Sequence, residues 1–261
     1  MYPPKRIVCL TEETVETLYC IGEEDRIVGV SGFVVRPPEA RRKPKVSTFT
    51  DAKIDEILAL EPDLVFTFSD IQADITANLM RAGLEVHAFN HRTVAGVFAM
   101  MQTVGAIIGE PEKAQALCTN LSERLDAARE KAAALPSRPR IYFEEWDEPM
   151  ISAIGWVSEL IDIAGGENVF ADRAFGQAAK DRFVTSEEVI TAAPDIIIGS
   201  WCGKGFKKEQ VAARPGWEKI PAVKNGHLYE IKSAIILQPG PAALTDGLDA
   251  LQAIISGAQD L

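Results

Sequence analysis

One segment of the chain has a helical pattern of apolar positions that runs unbroken from Pro111 to Leu135. Apolar residues recur there every three or four positions, and charged residues fill most of the positions between them. Pro111 suits a first helical turn, and Pro136 prevents continuation. At about 1.5 Å per residue, the segment would span roughly 37 Å. The pattern predicts a long helix, either a connector between two lobes or an ordinary surface helix. The apolar positions are Ala114, Leu117, Cys118, Leu121, Leu125, Ala128, Ala132 and Leu135.

Before this helix, short apolar runs alternate with amphipathic segments. Thr11 is suited to cap the first helix, and Gly22 to end it. Such alternation predicts a mainly parallel sheet covered by helices. The predicted strands are 7–10, 26–30, 64–68 and 84–89, and the predicted helices are 12–21, 55–60, 71–81 and 94–108.

The same alternation resumes after Pro136. The sequence therefore predicts an α/β protein with two mainly parallel-sheet lobes joined by one long rigid helix. The expected division is an N-terminal lobe at 1–110, a linking helix at 111–135 and a C-terminal lobe at 136–261. The predicted strands of the second half are 140–144, 195–199 and 227–231, and its helices are 156–164, 186–192 and 244–255.

An internal similarity supports two related halves. Residues 55–66 align without a gap on residues 187–198, an offset of 132 residues. In both segments an acidic helix start leads to a Pro-Asp stop and then to a fully apolar strand. Helix–Pro-Asp–strand units are common, so chance is one explanation, and a two-lobed pseudo-repeat is the other.

Composition limits the function classes. A hydrophobic content of 47% is ample for a packed core, and 38 acidic against 27 basic residues give a net charge of −11. That charge opposes binding to phosphate backbones or anionic lipids, so we expect no nucleic-acid partner. Apolar runs are too short to cross a bilayer, so we expect no membrane insertion. We also expect a monomer.

The cysteines and the N-terminus indicate the cellular compartment in which the chain is expected. Cys9, Cys20, Cys118 and Cys202 lie far apart without a CxxC pair, which favours free thiols, although counting alone also permits two disulfides. Residues 1–6 lead directly into the apolar run Ile7–Leu10, which leaves no room for a secretory signal. The chain as it stands is therefore expected in the cytoplasm, or in the periplasm if a signal has been removed.

Aromatic residues lie at the ends of predicted strands or just before a predicted helix in both halves. Their flat faces suit a planar or macrocyclic ligand held in a cleft between two lobes, although each ring alone is more often part of a core. Glu144 and Glu145 end a strand beside Trp146 and are suited either to polar ligand groups or to a solvated pair. The aromatic positions are Phe33, Phe49, Phe68, Trp146 and Trp201.

Catalytic signatures are absent from the sequence. It contains no GxGxxG after a strand, no GxxxxGK[ST], no GxSxG and no HExxH. His91, at a strand exit, and Cys202, beside Trp201, are the candidate metal ligands, with a surface histidine and an inert thiol as the plainer interpretations. We expect no catalytic residue and no catalytic cofactor.

Four segments together resemble one known family. The chain is similar to the helical-backbone, class III substrate-binding proteins of ABC importers, which serve cobalamin, haem and ferric siderophores, and it looks most like the cobalamin-binding branch. The segments are Arg6–Leu10 with Thr14–Leu18 and Gly22; Ile57–Val65; Ala164–Phe170; and Pro215–Trp217 through Ala222–Gly226 to Tyr229.

This resemblance implies two α/β lobes bridged by a rigid helix, with the ligand held in the cleft between them and little hinge closure, and it leaves the identity of the ligand open. It places Phe33, Phe49 and Phe68 on first-lobe positions that contact the corrin ring in relatives, while Trp146 and Trp201 match only by neighbourhood. It also places Asp55 and Glu187 on the carboxylates that dock to basic residues of a membrane permease, with Asp55 shorter than the usual glutamate.

Three functional hypotheses follow. The first is corrinoid binding for uptake or for intracellular handling, with Phe33, Phe49, Phe68, Glu145, Trp146 and Trp201 as the binding residues. The second is a receptor that holds haem or a ferric siderophore at the same place. The third is a chelatase-like or corrinoid-modifying enzyme that uses His91 or Cys202.

Overall fold

Residues 3–258 are described by a computed structural model, and they form two compact units. Of the described residues, the first unit contains 3–91 together with Ala95–Leu121, and the second contains Arg92–Val94 together with 122–258. The predicted lack of an export signal depends partly on Met1 and Tyr2, which lie outside the described residues. The predicted domain limits at 110 and 136 stay predictions.

The strands are short and mostly buried. They are β1 (Ile7–Cys9), β2 (Ile27–Ser31), β3 (Lys45–Ser47), β4 (Leu64–Phe68), β5 (Val86–Phe89), β6 (Arg140–Asp147), β7 (Met150–Ser152), β8 (Glu167–Asn168), β9 (Ile196–Gly199) and β10 (Leu228–Glu230).

The α-helices lie between these strands in chain order. They are α1 (Glu12–Cys20), α2 (Ile54–Ala59), α3 (Ala73–Arg81), α4 (Val94–Ile108), α5 (Pro111–Ala133), α6 (Gly155–Ile163), α7 (Ser186–Ala192), α8 (Lys208–Ala212), α9 (Pro221–Lys224), α10 (Ser233–Ile236) and α11 (Leu248–Gly257).

The sheet of the first unit is entirely parallel. Its strand order is β3-β2-β1-β4-β5, with β1 at the centre between β2 and β4. The central strands carry apolar side chains with no exposed surface, such as Val8 and Val65, as expected of a sheet covered on both faces. Because all five strands run the same way, their carboxyl ends lie at one edge of the sheet.

The sheet of the second unit is mainly parallel. Its strand order is β10-β9-β6-β7, and β8 pairs in parallel with the start of β6. β7 departs from the pattern because it follows β6 through a tight turn and pairs with it antiparallel. The predicted α/β fold with two mainly parallel sheets is confirmed.

The predicted long helix is present as α5, which ends at Ala133 rather than Leu135. Its apolar stripe is buried, since Ala114, Cys118, Leu121, Leu125 and Ala128 are each at most 5% exposed. Near the start of α5, Ala114 lies against Gly105 of α4 so closely that a Cβ at position 105 would clash with it. The periodicity therefore identified the buried face of this helix correctly.

The two segments related by the 132-residue offset have the same local structure. In the first, the Asp63 carboxylate accepts the backbone N–H of Arg6 at 3.0 Å, and the Arg6 guanidinium donates to the carbonyl of Leu60. In the second, Asp195 accepts the N–H of Arg140 at 2.9 Å, and Arg140 donates to the carbonyl of Ala192. We call this arrangement the Arg–Asp clamp.

The clamp includes a strained residue in each copy. Glu61 and Ala193, which lie at equivalent positions, have φ values of 47° and 45°, a left-handed conformation that disfavours residues with a Cβ. Shared strain of this kind is hard to attribute to composition alone. The pseudo-repeat is therefore confirmed at the level of the backbone, and chance similarity is the weaker explanation.

Several sequence predictions need correction. Thr11 does not cap α1 through its side chain, because its hydroxyl donates to the Glu13 carboxylate instead. The predicted helix at 244–255 is a π-helical turn (Ala243–Gly247) followed by α11. Strands β3, β7 and β8 were not predicted, since each has at most three residues and too little alternation to detect.

All four cysteines are free thiols, as the sequence favoured. Among residues 3–258, no helix is both long enough and apolar enough to cross a membrane.

Replacing Leu125 with Ala should lower the free energy of unfolding by about 3 kcal/mol, because a buried leucine leaves a cavity that the neighbouring side chains fill only partly. The matched control is Glu123→Ala, at an exposed position of the same helix, which should change stability by less than about 0.5 kcal/mol. Urea unfolding followed by circular dichroism measures both. Equal effects of the two substitutions would contradict the buried-stripe assignment.

Candidate functional site

Three predicted ligand-binding phenylalanines lie at the carboxyl edge of the first sheet. Phe33 follows β2, Phe49 follows β3, and Phe68 is the last residue of β4. Parallel pairing brings these three strand ends to the same edge. The structure therefore collects on one edge residues that are as many as 35 positions apart in the sequence.

A buried glutamine holds part of this edge together. The Gln72 side-chain amide donates to the carbonyls of Leu10 at 3.3 Å and Phe49 at 3.2 Å, and its oxygen accepts the backbone N–H of Phe68 at 3.1 Å. Gln72 has no exposed surface, so these bonds form where water does not compete. They fix Phe49 and Phe68 beside the end of β1.

The three rings differ in how much of their surface a ligand can reach. Phe33 is 52% exposed, Phe49 is half-buried, and Phe68 is only 6% exposed. The ring of Phe68 packs edge-on against His91, with 5.1 Å between ring centroids. Phe33 and Phe49 therefore present accessible aromatic surface, whereas most of the Phe68 ring is already in contact with protein.

Two glutamates at the start of α1 lie at the same edge. Glu12 and Glu13 are 3% and 0% exposed, directly after the end of β1. Within residues 3–258, neither carboxylate oxygen of Glu12 has a hydrogen-bond partner on another residue, and the same holds for Oε2 of Glu13. Glu13 Oε1 accepts the hydroxyl of Thr11. The arrangement is unusual because buried carboxylates are normally paired.

Burial has a large effect on these two groups. Desolvation raises the pKa of Glu12 to about 7, with a further contribution from the negative charge of Glu16. Desolvation also raises the pKa of Glu13 to about 8, and the hydrogen bond from Thr11 opposes that rise. Both carboxyl groups therefore hold protons at pH values where ordinary glutamates have lost theirs.

In the second unit, Glu144 is the centre of a buried polar network. It accepts the hydroxyl of Tyr142 at 2.9 Å and the indole N–H of Trp201 at 3.0 Å. The Arg214 guanidinium donates to both Glu144 oxygens, at 2.5 and 2.9 Å. Removing one partner of such a buried pair typically costs about 3–5 kcal/mol. The network therefore fixes the end of β6.

Trp201 belongs to the core of the second unit. Its ring is 4% exposed, and it packs edge-on against Phe206 with 5.1 Å between centroids. Its N–H is used by Glu144. This burial leaves almost no ring surface for a ligand, so the structure places Trp201 in packing and polar support. Its position after a strand could not distinguish these roles from ligand contact.

Glu145 pairs separately from Glu144. Both of its oxygens accept from the guanidinium of Arg182, at 2.5 and 3.1 Å, and Arg182 is 3% exposed. Each glutamate thus has its own arginine. The arrangement holds both carboxylates in place and does not form an acid/base couple.

Trp146 keeps accessible surface. Its ring is half-buried, and its N–H donates to the carbonyl of Glu148 at 2.9 Å. The ammonium of Lys204 lies 4.1 Å from the Trp146 ring centroid and 2.6 Å from a carboxylate oxygen of Asp147. The Trp146 ring is therefore oriented by a hydrogen bond and has the Lys204 ammonium over it, so it offers a ligand the rest of its accessible surface together with a neighbouring cation.

Within residues 3–258, the two candidate metal ligands do not belong to a cluster of ligating side chains. His91 is half-buried at the end of the first sheet, and Cys202 is exposed after β9. Across residues 3–258, the described histidine, cysteine, aspartate and glutamate side chains form no group of three or more that could hold a metal ion. A role for His91 or Cys202 as a single ligand to a chelated metal stays a prediction.

The candidate docking carboxylates occupy equivalent places. Asp55 lies in the first turn of α2 and Glu187 in the first turn of α7, and both are exposed. Their neighbours Glu56 and Glu188 are engaged locally, by Lys53 and by the N-terminal capping box of α7. Exposed carboxylates at helix starts are available to basic partners.

Sequence reasoning missed several residues of these edges. Gln72, Arg182, Lys204 and Arg214 make specific contacts but belong to no motif, and each lies in a loop, in a short helix or at the end of one. The only sequence signal was the pair Glu144-Glu145, since buried carboxylates need cationic partners. Nothing in the sequence indicated which arginines supply them.

Comparisons with known proteins agree with this architecture. A family model described as periplasmic binding protein matches residues 7–235. The vitamin B12-binding protein of Vibrio parahaemolyticus is 28% identical over 246 residues, which cover 93% of this chain and 86% of that protein.

Two solved structures share the fold. The periplasmic vitamin B12 binding protein of Vibrio cholerae has a TM-score of 0.77 at 23% identity, covering 99% of both chains. A periplasmic heme binding protein from Pseudomonas aeruginosa has a TM-score of 0.81 at 20% identity, covering 98% of this chain and 94% of that one. At these identities the likeness concerns the fold.

The buried glutamates predict a stability that depends on pH. Because the pKa of Glu12 is higher in the folded chain than in the unfolded chain, the folded chain holds more protons, and its free energy of unfolding falls as pH rises from about 4 to about 8. Glu12→Gln removes the ionisation. Because a rise in pKa from 4.5 to about 7 corresponds to about 3 kcal/mol, the stability of this variant relative to the unmodified protein should be about 3 kcal/mol greater at pH 8 than at pH 4.

Chemical denaturation at both pH values measures this gain. The matched control is Glu112→Gln, which also lies in the first turn of a helix but is exposed, and it should show no comparable change. A Glu12→Gln gain that is the same at both pH values would contradict the raised pKa.

Proposed function

Since the chain belongs to the periplasmic binding protein family, we propose that it binds cobalamin or a related corrinoid, for uptake or for handling inside the cell. The chain is a binding protein and not an enzyme, so the chelatase-like hypothesis is not retained. The observation that carries the corrinoid proposal is the set of accessible aromatic rings at the carboxyl edges, namely Phe33 and Phe49 in one unit and Trp146 in the other.

Two lines of support favour a corrinoid. Flat aromatic faces gain most from contact with a large, rigid macrocycle, because each stacked pair adds about 0.5–1.5 kcal/mol beyond area burial. The relative from Vibrio parahaemolyticus, named for vitamin B12 binding, matches 93% of the chain. Glu145, fixed by Arg182, supplies an oriented carboxylate for polar groups of the ligand.

Haem is the second candidate ligand, because a heme binding protein shares the fold with a TM-score of 0.81. It is also planar and would use the same aromatic rings. A ferric siderophore would depend less on stacking, since its metal is wrapped by oxygen ligands. His91 and Cys202 are proposed as ligands only for a chelated metal with an open coordination position.

We also propose a permease of the ABC type as partner. Asp55 and Glu187 are exposed carboxylates, and they would form ion pairs with basic residues of the permease. The aspartate has a shorter reach than a glutamate. Such docking would be sensitive to ionic strength.

Visible absorbance titrations with cobalamin, cobinamide, haemin and a ferric siderophore test the proposed ligand class. We expect saturable spectral changes with both corrinoids at lower ligand concentrations than with haemin or the siderophore. Tighter binding of haemin than of the two corrinoids would identify haem as the preferred ligand instead. Unchanged spectra and unchanged tryptophan fluorescence with all four would overturn chelate binding altogether.

Replacing Trp146 with Ala should weaken corrinoid binding by about 1 kcal/mol, or roughly fivefold in Kd, if its ring stacks on the ligand. The matched control is Met80→Ala, which removes an apolar side chain that is 61% exposed near the C-terminal end of α3, away from the carboxyl edge. An unchanged Kd for Trp146→Ala would assign the ring to packing.

A further inference from the structure

The buried carboxyl groups of Glu12 and Glu13 have no role in the interactions described so far. They lie at the first turn of α1, which follows the central strand of the first sheet. Among residues 3–258, three of their four carboxylate oxygens have no hydrogen-bond partner on another residue. Burying an acceptor that receives no hydrogen bond from another residue destabilises the folded chain, so three such atoms in one place indicate a role other than folding.

A second observation at the same edge is independent of these acidic groups. Ser47 is the last residue of β3, is 6% exposed, and within the described part of the chain its hydroxyl has no hydrogen-bond partner. Its backbone carbonyl is engaged by the N–H of Gly32 at 2.8 Å, so the residue itself is well fixed. Unsatisfied side chains therefore occur after β1 and at the end of β3, both at the carboxyl edge.

The chemistry of these atoms limits what could satisfy them. Each of these atoms can accept a hydrogen bond, and a protonated carboxyl or the Ser47 hydroxyl can also donate one, so the complementary ligand group must at least donate hydrogen bonds. A carboxylate ligand fits poorly, because it would bring its own negative charge into a buried region that already holds the Glu16 carboxylate. Within residues 3–258 no group of three or more ligating side chains is arranged for a metal ion.

A neutral donor fits better than a cationic one. With pKa values raised to about 7 and about 8, about half of the Glu12 carboxyls and most of the Glu13 carboxyls are protonated at pH 7, so an ammonium or guanidinium would gain only part of the attraction of two full charges. A primary carboxamide has two N–H donors and a carbonyl acceptor. It can pair with a protonated carboxyl through two hydrogen bonds, since the carboxyl O–H donates to the amide oxygen while the amide N–H donates to the carboxyl oxygen.

We infer that Glu12 and Glu13, assisted by the Ser47 hydroxyl, form a recognition site for the neutral carboxamide side chains of the ligand. This inference rests on the proposed function and extends it. Carboxamides surround the corrin ring, whereas haem carries propionates, so the two glutamates select a corrinoid against haem.

The test compares two corrinoids that differ in these side chains. Dicyanocobinamide carries carboxamides and dicyanocobyrinic acid carries carboxylic acids on the same ring. The unmodified protein should bind cobinamide at least about tenfold more tightly than cobyrinic acid near neutral pH. Glu12→Leu, which can neither accept nor donate, should weaken cobinamide binding by about tenfold.

A double variant separates charge from hydrogen bonding. Glu12→Gln with Glu13→Gln keeps hydrogen-bonding groups but removes both ionisable carboxyls, so it should reduce the preference for cobinamide over cobyrinic acid by about tenfold or more. The control Glu112→Gln with Glu123→Gln changes net charge equally at exposed positions and should leave the preference unchanged. Circular dichroism checks that each variant is folded.

The outcomes distinguish this inference from the proposed function. The carboxamide site would be overturned if the unmodified protein, Glu12→Leu and the double glutamine variant all bound cobinamide with the same affinity and showed the same preference for cobinamide over cobyrinic acid. That result would leave corrinoid binding intact. A folded, unmodified protein that binds neither cobalamin nor cobinamide would overturn the proposed function, and the inference with it.

Discussion

Parallel pairing of buried strands is the constraint on which the rest of the structure depends. A parallel ladder requires each connection to return across the sheet, so strands run in one direction and their ends gather at one edge. In the first unit β1 pairs in parallel with both β2 and β4, and in the second β6 pairs in parallel with β9. The residues after these strands are therefore neighbours whatever their distance in sequence.

This constraint explains which parts of the fold the sequence could predict. Long segments with clear periodicity were located well, and β4, α4 and α7 have the predicted limits. The stripe of α5 was also located well, because burial of one helix face leaves a regular pattern. Short pieces such as β3 and β8 depend on partners that are distant in sequence, so their own residues carry little information.

The candidate site was predictable in position but less so in role. Phe33, Phe49 and Trp146 keep accessible surface near strand ends, and their role in binding stays a prediction. Trp201 occupies the same kind of position, yet it packs in the core and donates to Glu144. The sequence did not identify Glu12 and Glu13 as candidate binding residues, because acidic residues in a first helical turn are usually solvated and interact favourably with the helix dipole.

The Arg–Asp clamp separates the demands of folding from those of recognition. It ties the start of β1 to the end of α2 through Arg6 and Asp63, and the start of β6 to the end of α7 through Arg140 and Asp195, so both copies act at the amino ends of their sheets. Mutations at the opposite ends can therefore accumulate without loosening these anchors. A duplicated scaffold of this kind lets selection exchange one chelate for another while the architecture is inherited unchanged.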